Sequence, residues 1–142
     1  MRSVKPLTIQ DVERLAHTLA RKLMAWNEKI PAFATRYPNI LESCLLTPFQ
    51  TFGKKDLYPT FHKKTAILFY LMIKNHPFQN GNKRIAVTAL LVFLFNNGQW
   101  LKVPKEKLYK FAVWVAESDP DLKGGVLVAI EDFVRKNIYP VK

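Results

Sequence analysis

The residues with the clearest chemical potential lie in one short stretch that begins at His76 and ends at Lys83 and Arg84. Histidine is the side chain that most readily accepts a proton near neutral pH. Gly81 lets the backbone approach a ligand closely, and a glycine followed by cations at the start of a helix is typical of a phosphate-binding loop. The stretch therefore predicts a proton acceptor beside an anion site.

Each of these residues also has a purely structural interpretation. Gly81 and Asn82 would then cap a helix, Lys83 and Arg84 would be solvated, and His76 would be hydrogen-bonded in a turn. For any residue taken alone this interpretation is favoured, because isolated motif residues often match by chance. The complete ordered set favours the anion site.

The apolar run that follows, residues 85–95, is too short to span a bilayer. Its Ala, Leu and Phe content and the Asn96-Asn97-Gly98 after it predict a buried helix closed by a glycine in the left-handed conformation. Lys83 and Arg84 then fall in the first turn, where the helix dipole is positive and a cation costs about 0.3 kcal/mol or more. Their position there favours a bound anion.

A second long helix is predicted to begin at Pro59 and to end near Lys74. Residues 66–73 within it are apolar on every side, so this helix must be buried against the run 85–95. The two helices would hold His76 and the anion site between them, in a loop fixed at both ends.

The motif HPFQNGNKR, residues 76–84, closely resembles the signature of the Fic/Doc family, and its Lys83 resembles the Doc (death-on-curing) branch. The adenylyl-transferring Fic branch usually has glycine at that position and a second arginine where this chain has Val87. The similarity covers about residues 41–100. It includes Tyr58-Pro59, Lys74-Asn75, Phe93-Leu94 and Asn97-Gly98.

The resemblance implies a role for each polar motif residue. His76 would accept the proton of a target hydroxyl group. Backbone amides around Gly81 and Asn82, together with Lys83 and Arg84, would hold the phosphates of ATP.

Two further motif positions take their roles from the same resemblance. Phe78 would be the core anchor that locks the loop. Asn80 stands where Fic proteins often have the aspartate that ligates Mg²⁺; an amide oxygen can bind Mg²⁺ but adds no negative charge.

Residues 47–57 are too apolar for an ordinary loop and too interrupted for a helix. Phe49 and Phe52 flank Gln50-Thr51, and Gly53 breaks the pattern, which predicts an extended flap or hairpin. In Fic/Doc proteins such a flap docks the target by strand addition, a mode that needs exposed backbone groups. The alternative is a packed loop whose phenylalanines join the core.

The remaining apolar positions predict an all-α fold in one domain spanning 1–142, and the resemblance implies that this fold is a compact Fic/Doc-type helical bundle with a short flap. Thr8, with Asp11 three residues on, is a candidate N-cap for a first helix that extends through Trp26. Residues 99–103 are predicted to be a connector. Further helices are expected at about 39–46, 104–118 and 122–137.

Composition limits the class of protein. The 142 residues are 49% hydrophobic and 23% charged, which is typical of one globular domain. The N-terminal residues lack an apolar signal region and no stretch reaches transmembrane length, so a cytoplasmic protein is expected. The single cysteine, Cys44, has apolar neighbours and is expected to be a core residue rather than a nucleophile. His17 is expected at the surface or the core edge.

The net charge of +11 points to an anionic partner, which could be nucleic acid, an acidic protein or nucleotide phosphate. Basic pairs such as Lys63-Lys64 are scattered and are expected to be solvated. No helix-turn-helix, RNA-binding or zinc-finger pattern accompanies them, which disfavours direct nucleic-acid binding.

The leading hypothesis, by resemblance to the Doc branch, is a toxin of a toxin–antitoxin system. It would transfer the γ-phosphate of ATP to a threonine of elongation factor Tu and be inhibited by an antitoxin protein. Three alternatives remain: AMP transfer with the nucleotide turned round, a catalytically weakened relative that binds nucleotide or protein, and a basic nucleic-acid-binding domain that shares only the loop.

Overall fold

The computed structural model describes residues 3–23 and 29–141. Trp26, in the predicted continuation of the first helix, lies outside these residues. The helices are α1 (Ile9–Asp11), α2 (His17–Leu23), α3 (Pro38–Leu46), α4 (Phe61–Lys74), α5 (Asn82–Asn96), α6 (Lys105–Glu117) and α7 (Lys123–Asn137), and a π-helical segment, Val12–Ala16, joins α1 to α2. The strands are β1 (Thr51–Phe52), β2 (Lys55–Asp56), β3 (Gln99–Leu101) and β4 (Ile138–Pro140).

The predicted all-α class is confirmed. The helices α4 and α5 form the centre of the fold. α4 packs against both α5 and α7, and the side chains of α4 and α5 dominate the buried core. The largest fully buried side chains include Phe69, Phe93, Ile67, Leu68, Met72, Ile73, Ile85, Leu90 and Leu94. Helices this apolar are stable only when they are covered on all sides, as the sequence predicted.

The helix ends follow local capping chemistry. Thr8 and Asp11 form the predicted capping box, in which each side chain accepts from the other residue's backbone N–H at 3.0 Å. Gly98 has a φ of 75°, so the predicted left-handed closure of α5 is also confirmed. The predicted start of α4 at Pro59 is wrong, because Thr60 is its N-cap and accepts from the Lys63 backbone N–H.

The predicted flap is a hairpin. Thr51 pairs with Asp56 and Phe52 with Lys55 in an antiparallel ladder. The two turn residues, Gly53 and Lys54, both have positive φ, which matches the right-handed twist of two short strands. Phe49 is partly buried against the core, whereas Phe52 is 80% exposed, so the packed-loop alternative holds only for Phe49.

The predicted connector over 99–103 is wrong for its first part. β3 pairs antiparallel with β4 from the C-terminal end of the chain, with Trp100 opposite Tyr139. Each strand is only three residues long and the partner lies far away in sequence, so no local pattern indicates the pairing.

Two polar residues are buried. For His17 this excludes the predicted surface position and leaves the predicted core edge, and Lys64 is an exception to the prediction that most basic residues are solvated. Cys44 is in the core, as predicted, and burial raises the pKa of its thiol to about 12. No helix within 3–23 and 29–141 is long and apolar enough to cross a membrane.

Candidate active site

The motif loop, residues 75–81, joins the C-terminal end of α4 to the N-terminal end of α5. Asn75 is the C-cap of α4 and Gly81 the N-cap of α5. His76 is exposed and has a φ of 50°, in the left-handed region that few side chains other than Asn, Asp and His adopt. Such a backbone costs on the order of 1–3 kcal/mol and persists where surrounding contacts fix it, which is typical of functional sites.

The side chain of Asn82 closes the loop from within. Its Oδ1 accepts from the Phe78 backbone N–H at 3.0 Å, and its Nδ2 donates to the Phe78 carbonyl at 2.9 Å. Nδ2 also lies 3.4 Å from Nδ1 of His76, at the long end of hydrogen-bond distance. The buried amide of Asn82 therefore ties the histidine ring to the turn that carries it.

Phe78 fastens the loop to the core. Its ring is 1% exposed and lies 5.9 Å, centroid to centroid, from both His17 and Phe33. Next to it, the Pro77 carbonyl accepts from the Tyr37 backbone N–H at 2.9 Å. The structure thus places Phe78 in the anchoring position that the resemblance implies.

His17 packs against the ring of Phe78. Its Nε2 lies 2.8 Å from the carbonyl of Pro31, and its ring meets Phe33 edge to face. Burial is the main cause that lowers the pKa of His17, and the charge of Arg21 lowers it further, against the raising effects of the Pro31 hydrogen bond and of Glu13.

A cavity of about 400 Å³ opens beside the motif loop and brings several predicted residues together. Among the residues predicted to act, His76, Asn80, Asn82 and Lys83 line it. Three further lining residues, Gln79, Ile73 and Ala116, were not predicted as site residues. Gln79 stands inside the motif, but no sequence signal connects Ala116 on α6 with it.

The first turn of α5 borders the cavity. The N-cap of this helix is Gly81, which has no side chain to cap it, and Asn82 and Lys83 line the cavity at the start of the helix. The positive end of the helix dipole therefore lies at the cavity wall.

Gly81, predicted to hold phosphate through its backbone, is not among the residues that line the cavity. A Cβ there would collide with the side chain of Ile30 and lie 3.2 Å from the Lys29 carbonyl. Glycine is needed at this position for close packing against residues 29–30 as well as for its φ of 74°.

Arg84 does not lie where a phosphate contact was predicted. It is 6% exposed, and one guanidinium NH₂ group donates to the carbonyl of Ala20 on α2 at 2.6 Å. One turn further on, Thr88 donates to the carbonyl of Ala16 at 2.7 Å. Consecutive helical residues point about 100° apart, so Lys83 reaches the cavity while Arg84 fastens α5 to the first helical segment.

The described residues that line the cavity do not by themselves form a Mg²⁺ site. Asn80, the predicted ligand, is exposed, and its Oδ1 already accepts from the Gly81 backbone N–H at 2.9 Å. Among residues 3–23 and 29–141, those that line the cavity include no carboxylate, and no group of three His, Cys, Asp or Glu is suited to a metal. Protein-bound Mg²⁺ usually has one or two carboxylate ligands.

Two larger cavities lie elsewhere. One of about 680 Å³ lies near Asn97 and Gly98, and one of about 490 Å³ is mostly apolar and borders the other side of α5. Val87, at the position of the second Fic arginine, is fully buried and lines the apolar cavity. The chemistry of the motif loop, rather than cavity size, therefore indicates the site.

A family model matches more than half of the chain. The model of the Fic/DOC family matches residues 6–94, from just before α1 through most of α5. The match includes the flap hairpin and the whole motif loop. No curated protein and no solved structure matches the chain.

Proposed function

Because the chain belongs to the Fic/DOC family, whose members are typically nucleotidyltransferases acting on proteins, we propose that it transfers the γ-phosphate of ATP to a hydroxyl group of a target protein. The observation that carries the proposal is the exposed His76, fixed on a left-handed backbone at a cavity shared with Lys83 and the start of α5. A proton acceptor and an anion site therefore meet at one place.

The reaction would use this chain's residues in a simple order. The oxygen of the target hydroxyl attacks the γ-phosphorus, the bond from that phosphorus to the β,γ-bridging oxygen breaks, and ADP leaves. A ring nitrogen of His76 takes the hydroxyl proton. Lys83 and the positive end of the α5 dipole stabilise the charge on the phosphate oxygens.

The choice between phosphate and AMP depends on how the nucleotide lies. Attack at the α-phosphorus gives AMP transfer, and attack at the γ-phosphorus gives phosphorylation. In the Fic branch, the second arginine helps to hold the γ-phosphate away from the base. Here Val87 is buried on the apolar side of α5, whereas Lys83 adds a cation at the cavity. This difference supports a nucleotide that lies the other way round from the Fic orientation, with its γ-phosphorus next to His76.

AMP transfer is the competing function, and the family match favours it because nucleotide transfer to proteins is the typical activity. It would use the same base and the same anion site. ATP is the co-substrate in both proposals. Since the described lining residues do not form a Mg²⁺ site, no step here depends on Mg²⁺.

The biological role that we propose is that of a Doc-like toxin acting on elongation factor Tu, so that translation stops. It rests on the resemblance of the motif, with its Lys83, to the Doc branch. We also propose inhibition by an antitoxin protein, since Fic proteins that silence themselves carry a Glu-Gly or Glu-Asn pair that this chain lacks. With a net charge of +11, an acidic segment would be attracted to this chain.

Mass spectrometry of purified elongation factor Tu after incubation with the protein and ATP tests the proposal. With the wild type, we expect a peptide of elongation factor Tu to gain the mass of a phosphate group. With His76→Ala, we expect the same peptide to stay unmodified. A gain of the mass of AMP would establish the competing function. If elongation factor Tu stays unmodified, it is excluded as the target.

A further inference from the structure

Lys64 lies near the N-terminal end of α4 and is buried, unlike its neighbour. The side chain of Lys64 is 6% exposed and that of Lys63 is 46% exposed. A lysine is rarely so buried unless its ammonium group has partners, because removing a charge from water is costly. The contacts of this ammonium group therefore indicate what it does.

Within residues 3–23 and 29–141, the ammonium group has three acceptors, and all belong to the segment that carries the flap hairpin, β1, β2 and their turn. Nζ donates to the Tyr58 carbonyl at 2.6 Å, the Pro48 carbonyl at 3.2 Å and Asp56 Oδ2 at 3.3 Å. An ammonium group has three protons to donate, and these acceptors match that number. Nζ also lies 5.1 Å from the centre of the Phe49 ring, within the range of a cation–π interaction.

These contacts hold both ends of the hairpin at one point. Pro48 precedes β1, Asp56 is in β2, and Tyr58 follows β2. The hairpin itself has two residue pairs and an exposed surface, with the Leu57 backbone N–H closing it on the Gln50 carbonyl. An isolated two-stranded hairpin is marginally stable, so its orientation depends on such a tether.

The tether connects the hairpin to the helix that leads to His76. α4 ends at Lys74, two positions before His76, and Lys64 lies about 15 Å from that end at 1.5 Å per residue. A packed helix is rigid over this length. The position of the hairpin relative to Lys64 therefore also sets its position relative to His76.

We propose that Lys64 is a positioning residue that fixes the flap hairpin relative to α4, and so places a protein segment bound to the hairpin within reach of His76. The inference rests on the proposed function, since it assumes that the hairpin docks the target. It adds a requirement that the family match does not state: the docking element is oriented by one buried cation.

The test compares Lys64→Met with Lys63→Met, a matched change at the exposed neighbour. Methionine fills similar space but donates no hydrogen bond. We expect NMR order parameters of residues 51–56 to fall from about 0.85 to below about 0.6 in Lys64→Met, and those of α5 to stay unchanged. Lys63→Met should leave both sets unchanged. Equal order in Lys64→Met and in wild type would overturn the inference.

Kinetics supply the second readout. We expect Lys64→Met to raise KM for the target protein about tenfold with kcat nearly unchanged, since a hydrogen bond to a charged group is worth at least a factor of ten. An unchanged KM with a mobile hairpin would overturn the positioning role. A wild type that modifies no protein would overturn the proposed function instead, while the order parameters would still decide whether Lys64 holds the hairpin.

Asp56→Ala keeps the test decisive if Lys64→Met does not fold. It removes one of the three acceptors and leaves the buried lysine with its two carbonyl partners. We expect the same changes in hairpin order and KM at a smaller size. A hairpin as ordered as in the wild type would contradict the tether.

Discussion

The motif loop and the flap hairpin are both short segments next to α4, but they are held in different ways. The motif loop is fixed by packing and by an internal amide: Phe78 enters the core, and Asn82 bonds both backbone groups of Phe78. The hairpin exposes most of its surface, and the Lys64 ammonium group bonds both of its ends, beside Phe49 and Tyr58, which pack against the core. The group that would do chemistry is thus set by a loop fixed in the core, while the element that would receive a target is held only at its two ends.

Phenylalanine substitutions should show this difference most strongly. Phe78→Ala leaves a cavity among His17, Phe33 and the core, and should lower the free energy of unfolding by about 3–5 kcal/mol. Phe52→Ala removes a side chain that is mostly in water and should change it by less than about 0.5 kcal/mol. Urea unfolding followed by circular dichroism measures both. Equal losses would mean that the two loops are held alike.

Glycine substitutions separate backbone strain from packing. Gly53 and Gly81 both have positive φ, where alanine costs about 1–2 kcal/mol. Only Gly81 also packs against Ile30, and overpacking adds about 1–3 kcal/mol. We therefore expect Gly81→Ala to be the more destabilising in urea, with a total loss of about 2–5 kcal/mol. A Gly53→Ala variant of equal instability would show that the contact at Ile30 contributes nothing.

Asn82→Ala tests the amide that closes the motif loop. It leaves the N–H and the carbonyl of Phe78 without their side-chain partner, which should cost about 1–3 kcal/mol. We also expect a large loss of activity, because the His76 ring loses its neighbour. Asn80→Ala is the control for stability, since among the described residues the exposed Asn80 bonds only the next residue's N–H. Equal stability of the two variants would show that the Asn82 amide does not hold the loop.

Sequence patterns predicted the parts that depend on neighbours in the chain. The Thr8 cap, the Gly98 closure and the buried pair of helices follow from residues within a few positions of one another. The approach of His76, Asn82 and Lys83 to one cavity was predictable for the same reason, because the loop between them is short.

The remaining features depend on partners far along the chain. Arg84 turns to a carbonyl on α2, and β3 pairs with a strand from the C-terminal end. In the sequence, Lys63-Lys64 resembles an ordinary solvated pair of lysines. Lys64 is buried because the segment that carries the flap folds over it. None of these contacts leaves a periodic or compositional trace near the residue concerned.

The smallest expected effect is the pH dependence of stability that arises from His17, which packs against Phe78 of the motif loop. Above its ordinary pKa of 6.5, His17 is neutral in the folded and the unfolded chain, and it contributes no pH dependence. Below 6.5 the unfolded chain binds the proton first, because burial lowers the pKa of His17 in the folded protein. As the pH is lowered below 6.5, the free energy of unfolding should therefore decrease, by at most about 1.4 kcal/mol per pH unit.

Urea unfolding between pH 5 and pH 8 checks this, with His17→Gln as the variant that lacks the ionisation. The wild type should lose more stability on acidification than His17→Gln does. A matched change at another histidine, His62→Gln, controls for the substitution itself. Parallel pH profiles for wild type and His17→Gln would contradict the assignment.

The central claim is that His76 accepts the proton in phosphoryl transfer to a protein. The most direct measurement incubates wild type and His76→Ala with elongation factor Tu and ATP labelled at either the α- or the γ-phosphorus. The account predicts that wild type transfers label from γ-labelled ATP and none from α-labelled ATP. It also predicts that His76→Ala, with an unchanged circular dichroism spectrum, transfers neither. Label from α-labelled ATP, or an active His76→Ala protein, would contradict it.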